Sequence, residues 1–400
     1  MVAGAGPVGL TAALCLARRG LAVTVFESHP ELNSSSQAST FHPTTLELLD
    51  ELGIAWPLIA TGNPVQRLQY RDRKEGLIAE FDYAKIRDAT RFPVRVQTDQ
   101  SKLTRLILDT IRRDHPDVNV RFSSTVIAAR DDGQGAEVDL RTTAGTVTHR
   151  AGFVVGADGA HSAVRHSLGI GFEGSVYGTR HLMITTSYDV LAHMPELAPV
   201  TYLFDDQEVT ALLTLKDVWR IVFMIPDDEP DDVALDGANL QRRLQTFLPP
   251  ETAPYPILDA RVSRLHARTA TRYRHGRVLL AGDAAHLNHP LGGLGLNSGL
   301  HDAYVLAMAI ADIHDHVGGD ELLTQYADNR RTAMVEKVIP VADGYSRDAE
   351  EKDPSQRRQR NQRLRSAAAD PAQARQWLLT ASMFDSAPRP RSSSVIPAAS

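Results

Sequence analysis

Residues 2–27, VAGAGPVGLTAALCLARRGLAVTVFE, read as strand, glycine turn, helix and strand. Val2-Ala3 leads into Gly4-x-Gly6-x-x-Gly9, an apolar helical run extends to Arg19, Gly20 stops it, and LAVTVF ends on Glu27. Gly4 permits a tight turn, Gly6 lets the backbone approach a pyrophosphate, and Gly9 lets helix and strand pack closely. The free N–H groups of the helix start, where Pro7 and Val8 stand, favour an anion there. Glu27 is placed to accept both hydroxyls of an adenosine ribose. With strand, helix and acid in register, the stretch predicts a dinucleotide site on an α/β, Rossmann-like domain. It does not separate FAD from NAD. The first strand is short because the chain starts almost at the turn, so either that strand is truncated or the start lies a few residues late.

The bulk composition narrows the classes. The 400 residues are 42% hydrophobic and 23% charged, which is globular composition and enough chain for two or three domains. A net charge of -6 gives no general attraction to nucleic acid or anionic lipid. One cysteine, Cys15, rules out a disulfide within the chain and the redox Cys pair of disulfide reductases. It lies in TAALCLA and is expected to be a buried small hydrophobe. No basic residue precedes the apolar start, and Tyr304 to Ile313 is too short to span a bilayer. A cytoplasmic protein without a membrane span is expected.

Farther along, a Ser-rich loop, Asn33 to Thr40, precedes a helix over Pro43 to Leu52. Gln66 to Phe92 alternates apolar and charged residues and predicts strands on an exposed sheet. A helix over Ser101 to Arg113, capped by Ser101, is followed by a meander of Val118 to Arg130, Ala136 to Arg141 and Thr146 to Arg150. Between Gly174 and Arg274 the pattern changes to antiparallel strands such as EVTALLTL and VWRIVFMI, with one helix near Asn239 to Phe247. A long helical tract from Ser298 to about Glu351, interrupted near Pro340, precedes a basic tail whose Arg357 to Arg365 stretch predicts a solvated face.

Two more motifs end strands. GADGAHSAVR, Gly156 to Arg165, reads on its own as a turn before a helix capped by Ser162. GDAAHLNHPLGGLGLNSGLHDA, Gly282 to Ala303, sets Asp283 at a strand end. Pro290, Gly292, Gly293 and Gly295 then form an open loop, and a helix starts near Asn297-Ser298. Such a loop at a helix start suits backbone N–H contact with an anionic or electron-rich ligand.

In this order the three segments resemble the single-component FAD-dependent aromatic hydroxylases, the para-hydroxybenzoate hydroxylase-like flavoprotein monooxygenases, over about residues 2 to 345. The resemblance implies that Gly4, Gly6, Pro7, Val8, Gly9 and Glu27 hold the ADP half of FAD. It gives Asp158 and Gly159 a flavin contact, Gly282 and Asp283 the ribityl chain, and Pro290 to Asn297, with Gly295 and Leu296, the flavin ring. Pro290, Gly292, Gly293 and Gly295 take the catalytic positioning role, with no acid or base assigned. Gln100 matches a flavin-contacting glutamine, with Gln97 close enough to compete.

The implied fold is a Rossmann-like FAD-binding domain with an inserted antiparallel-sheet substrate domain and C-terminal helices. The expected division is 1–66, 97–173 and 275–350 for FAD, 67–96 and 174–274 for substrate, and a helical or irregular tail over 351–400. Three departures stand out: Gln37 where the family has an arginine, His289-Pro290 where many members have two prolines, and the short first strand.

The implied chemistry is NAD(P)H reduction of FAD, addition of O2, and hydroxylation of a small phenolic ring by a flavin hydroperoxide. Neither a metal nor a nucleic-acid partner is expected, and a homodimer is left open. Tyr188, Tyr202, Arg220 and His266 are substrate candidates, each with a structural role as the plainer expectation. An FAD oxidase, a dehydrogenase, a quinone-pathway hydroxylase and a non-catalytic flavin binder stay as alternatives.

Overall fold

The computed structural model describes residues 1–34, 38–142, 145–206 and 208–389. Gln37 lies outside the described residues. The nucleotide-type sheet is assembled from distant stretches of chain. Val278–Leu280, Val154–Gly156, Val2–Ala3, Thr24–Phe26 and Asn119–Arg121 lie side by side and parallel, and Arg274–His275 adds an antiparallel edge. The helix Pro7–Arg18 leaves the first strand and packs Leu10, Ala13 and Leu14 against the helix Leu294–His314 and the sheet. Cys15 is buried in that contact, and burial pushes its thiol up to about 12.

The second large sheet has eight strands, in the order His286–Leu287, Ile257–Ala270, Phe172–Thr186, Trp219–Pro226, Thr210–Thr214, Val200–Phe204, Arg67–Asp72 and Gly76–Asp82. One face packs Leu182, Ile184, Ile221 and Phe223 against the helix Gly237–Gln245. The opposite face, carrying Tyr70, Tyr202, Ala211 and Val222, turns toward the first sheet and the C-terminal helices. A small sheet of Thr40–Phe41, Arg95–Gln97 and Asn63–Val65 bridges the two halves.

Several expectations are corrected. Val118 to Arg130 is two strands, because Ser123 takes a positive φ of 51° and the N–H groups of Ser123 and Ser124 go to the carbonyls of His29 and Glu27. The first piece joins the parallel sheet and only Thr125–Asp131 enters the meander. The helix Gln100–Asp114 is capped by Asp99, whose carboxylate accepts the Ser101 N–H, and not by Ser101. The long helical tract starts at Leu294 and breaks after His314, around Gly318-Gly319. At Pro340 it continues, because a π-helical turn over Met334–Val338 absorbs the missing donor just before the proline.

The strands between Gln66 and Phe92 are not on an exposed sheet; Leu68, Tyr70 and Phe81 are buried. What covers them is the tail. Asp353 and Asp370 cap the helices Pro354–Ala369 and Pro371–Ala381, which set Leu364, Ala374, Leu378 and Trp377 against that sheet edge. The basic stretch is therefore not a solvated face throughout. Arg360 is fully buried, its guanidinium 3.6 Å from the Phe204 ring centre, where cation–π attraction replaces water.

Candidate active site

Between the parallel sheet, the eight-stranded sheet and the loop at Pro290 lies a cleft of about 1000 Å³. The glycine turn forms one end. Gly4 has φ +97°, and a Cβ there would sit 2.4 Å from the Ala157 carbonyl oxygen, so only glycine fits where the first strand meets the strand from Val154. Gly4, Gly6, Pro7 and Val8 line the cleft, while Gly9 does not. A Cβ on Gly9 would meet the Gly4 carbonyl at 2.0 Å, which makes its role close helix–strand packing. Glu27 also faces the cleft. Its carboxylate accepts the Ala5 N–H at 2.8 Å and the His29 N–H at 2.9 Å, which ties the second strand to the turn.

Gln100 lines the cleft; Gln97 is fully buried in the bridging sheet, where its Oε1 accepts the Thr40 hydroxyl at 3.1 Å. Asp158 lines the cleft too, with its carboxylate engaged locally. It accepts the Ser162 hydroxyl at 2.5 Å and the Val164 N–H at 3.1 Å, at the start of the short helix that Ser162 caps. The local reading of GADGAHSAVR and its place beside the cleft therefore both hold.

Asp283 is different. Its carboxylate accepts no hydrogen bond from any described residue, and Gly282–Ala284 has no side-chain cap. By surface area Asp283 is open to the cleft, yet protein encloses it on nearly every side. The enclosure governs its charge: burial raises its carboxyl above the usual carboxylate range, and His286 offsets part of that. Gly282 stays out of the cleft lining. It has φ +61°, and a Cβ there would press on Val8 at 2.8 Å.

The turn that presents Asp283 is held by residues the sequence did not single out. Asp302, fully buried, accepts the Gly282 N–H at 3.1 Å, His286 Nε2–H at 2.6 Å and Arg330 Nε–H at 2.7 Å. Burial opposes its charge, but His286 and Arg330 hold it down at about 2.

Pro290, Gly292, Gly293, Gly295 and Leu296 line the far side of the cleft. Gly292 and Gly293 have φ of +85° and +71°, and a Cβ on Gly293 would meet Thr40 at 2.6 Å. Two buried donors grip the Gly292 carbonyl: His42 Nε2–H at 2.8 Å and Arg95 Nη2–H at 3.3 Å. Asn297 works behind the loop. Its amide donates to the carbonyls of Thr40 and Gly293, and its oxygen accepts the His42 N–H, so its side chain is a buried brace and does not line the cleft.

The sheet side of the cleft carries His181, Met183, Tyr202, Ala211, Leu213, Arg220 and Val222. Burial lowers His181 to about 4 and His289, beneath the loop, to about 3, so both are neutral at pH 7. Arg220 Nη2 donates to Asp99 at 2.9 Å; burial lowers it to about 10, and it stays charged. Of the four substrate candidates, Tyr202 and Arg220 reach the cleft. Tyr188 binds Glu251 on the other face of the sheet, and His266 does not line the cleft. No cluster of described residues could hold a metal ion, and no described helix is long and apolar enough to cross a membrane.

A family model described as an FAD binding domain matches residues 1–342. The chain belongs to the FAD-dependent aromatic hydroxylases. Para-nitrophenol 4-monooxygenase from Pseudomonas sp. strain WBC-3 is 30% identical over 385 residues, covering 95% of this chain and 94% of that protein. 6-hydroxy-3-succinoylpyridine 3-monooxygenase from Pseudomonas putida S16 is 30% identical, with 86% of each chain covered. The crystal structure of p-nitrophenol 4-monooxygenase from Pseudomonas putida DLL-E4 matches with a TM-score of 0.91 at 29% identity, over 96% of this chain and 97% of that one. A Rossmann-like FAD domain plus a substrate domain, whose sheet is antiparallel except where Val200–Phe204 runs parallel to Arg67–Asp72, is thus this hydroxylase's fold, and FAD is its cofactor. The cleft fits that cofactor: glycine backbone at a helix start for the pyrophosphate, Glu27 beside it, and an enclosed Asp283 carboxylate with no protein partner among the described residues.

Proposed function

We infer that the protein hydroxylates a small phenol, using NAD(P)H as reductant and O2 as the oxygen source. One oxygen atom enters the ring and the other leaves as water. The observation carrying this reading is the cleft that joins the glycine turn and Asp283 to a sheet face where Met183, Ala211, Leu213, Val222 and Leu265 stand beside His181, Tyr202, Arg220, Arg261 and Ser263. The names of the relatives support a small aromatic substrate.

FAD, when bound, supplies the hydride-accepting and oxygen-activating chemistry. The chain's own contribution is position and charge. Gly4, Gly6, Pro7, Val8 and Glu27 hold the ADP half, with Gly9 keeping helix and strand close. Asp158 and Gln100 flank the middle, and Asp283 accepts hydroxyls of the ribityl chain. Pro290 to Leu296 carry the ring, where the start of the helix Leu294–His314 favours negative charge, and Asn297 braces the loop from behind. Met183, Ala211, Leu213 and Val222 exclude water beside it. A cytoplasmic location fits the lone, buried Cys15.

The test is to screen phenols against the purified FAD-loaded protein for stimulated NAD(P)H oxidation, and then to trace labelled O2 into product. Stimulated oxidation with label in the ring is expected. Stimulation that gives only hydrogen peroxide, or turnover without NAD(P)H, would favour the oxidase or dehydrogenase alternative.

A further inference from the structure

Behind the loop that carries Leu291 and Gly292 lies a second, much smaller cavity of about 40 Å³. The C-terminal part of the chain builds one side of it. Leu364 and Trp377 come from the helices Pro354–Ala369 and Pro371–Ala381, and Ala349 from the helix Ile339–Glu350. The sheet side supplies Tyr70, Phe204 and Val209. Tyr202, Leu291 and Gly292 line both this chamber and the large cleft, so a single layer of residues separates the two.

The chamber suits a small apolar guest. Among the described residues that line it only Asp348 is charged, and its carboxylate accepts Arg363 Nη2–H with both oxygens, at 2.7 and 2.9 Å. That ion pair is partly exposed and marks the end nearest solvent. The lining tyrosines, Tyr70, Tyr202 and Tyr345, stand close enough to Arg95 for its charge to bear on them, which puts their hydroxyls on the Arg95 side. What remains is ring faces and methyl groups. A water settles in a cavity only with roughly two to four polar partners, which such walls do not offer. Size excludes an aromatic substrate as well: benzene fills a cavity of about 150 Å³, whereas about 10–15 Å³ suffices for a water-sized molecule.

The reaction inferred above has one gaseous reactant. O2 must reach a flavin ring already flanked by substrate, at the moment when bulk water has to be kept away. A passage walled by rings and methyl groups admits an apolar molecule and costs a water its hydrogen bonds.

Resting on the O2-dependent reading above, we propose that this chamber is a binding and entry site for O2, running from the Asp348–Arg363 pair to Gly292, and that the C-terminal helices exist in part to build it. Leu291 and Gly292 form its inner boundary, in the loop that carries the flavin ring. O2 rests in the chamber unchanged, and its reduction takes place in the large cleft.

The first measurement needs no turnover. Oxidised, FAD-loaded protein with labelled methyl groups is followed by NMR under rising O2 pressure, because paramagnetic O2 speeds the relaxation of nuclei it visits. Val209 and Leu364 line the chamber and not the cleft. Their methyl signals should gain at least threefold more relaxation than those of Leu182 and Ile221, which are buried on the other face of the sheet. Ala349→Leu, whose added carbons fill the chamber, should abolish that excess. The second measurement mixes anaerobically reduced protein with O2. Ala349→Leu should slow reoxidation at least threefold and leave the rate at which NAD(P)H bleaches the flavin unchanged, while Leu364→Ala should reoxidise at least as fast as wild type. Should Ala349→Leu fail to fold, Leu364→Phe fills the same space. Equal relaxation at all four residues overturns the proposal, as does normal reoxidation in a variant whose chamber no longer takes O2. Long-lived water at Val209 without an O2 effect overturns it too, making the chamber a water site. Equal slowing of bleaching and reoxidation overturns it by placing the effect in the Gly292 loop. Wild type that shows the chamber effect and reoxidises, but hydroxylates no phenol, supports the chamber and fails the phenol reading instead.

Discussion

His286 Nε2 lies 2.6 Å from a carboxylate oxygen of Asp302, and both side chains are buried. The other Asp302 oxygen takes Arg330 Nε–H, and the Gly282 N–H completes the set, so one buried carboxylate fixes the turn that carries Asp283. Asp302→Asn keeps the shape and removes the charge, leaving Arg330 buried without its anion. A loss of about 3 kcal/mol is expected, at the lower end for a broken buried pair. Urea unfolding of the FAD-loaded protein measures it; a loss under about 1 kcal/mol would show that the charge carries little.

The same carboxylate sets an acid limit. Its folded value of about 2 lies below the unfolded value of about 3.9, so its contribution is fully present above the unfolded value and is lost as pH falls through the folded one. The window is about pH 4 to 2, and the loss on the order of 2–3 kcal/mol. Wild type should therefore lose more stability across this window than Asp302→Asn. Parallel curves for the two proteins would refute the assignment.

Asp283 should behave in the opposite way, because it holds nothing in the protein. Asp283→Ala should fold with stability within about 1 kcal/mol of wild type, having no cap to lose. It should bind FAD about 10- to 150-fold more weakly, the worth of charge-assisted hydrogen bonds, and Asp283→Asn should fall between. The flavin-to-protein absorbance ratio, read beside circular dichroism, decides. A folded, fully yellow Asp283→Ala protein would remove Asp283 from the site.

Trp377 stacks on Phe81 with ring centres 3.9 Å apart and meets Tyr70 edge-on. Trp377→Ala should cost about 2–3 kcal/mol, discounted from a full core aromatic because the indole is only half-buried. A stability change near zero would mean that the tail helices are not anchored there.

The glycine turn, Glu27 and the loop at Pro290 were legible because each follows from local rules: a strand end, a φ only glycine adopts, a free helix start. Gln97 and Gln100 were not separable, since their spacing fits either a strand end or a helix start; the deciding fact is a hydrogen bond from Thr40, far along the chain. Asp302, Arg330, His42 and Arg95 stayed hidden for the same reason, as the His42–Gly292 contact spans 250 residues. The tail misled because nine charged or amide side chains from Gln356 to Arg365 mask the few anchors, Leu364, Trp377 and Leu378, that seat its helices.

The parallel sheet also constrains how the protein comes into being. Val2–Ala3 pairs with Val155–Gly156, and that strand pairs in turn with Leu279–Leu280. During synthesis the glycine turn therefore precedes its partners, and its sheet cannot close until Val278–Leu280 has left the ribosome. Loop-closure entropy must be met across that span before the contacts reward it. Until then the apolar helix Pro7–Arg18 lacks the helix Leu294–His314 that covers it. The nascent chain thus carries an uncovered hydrophobic surface until that helix is made, which is the interval when a chaperone would be needed.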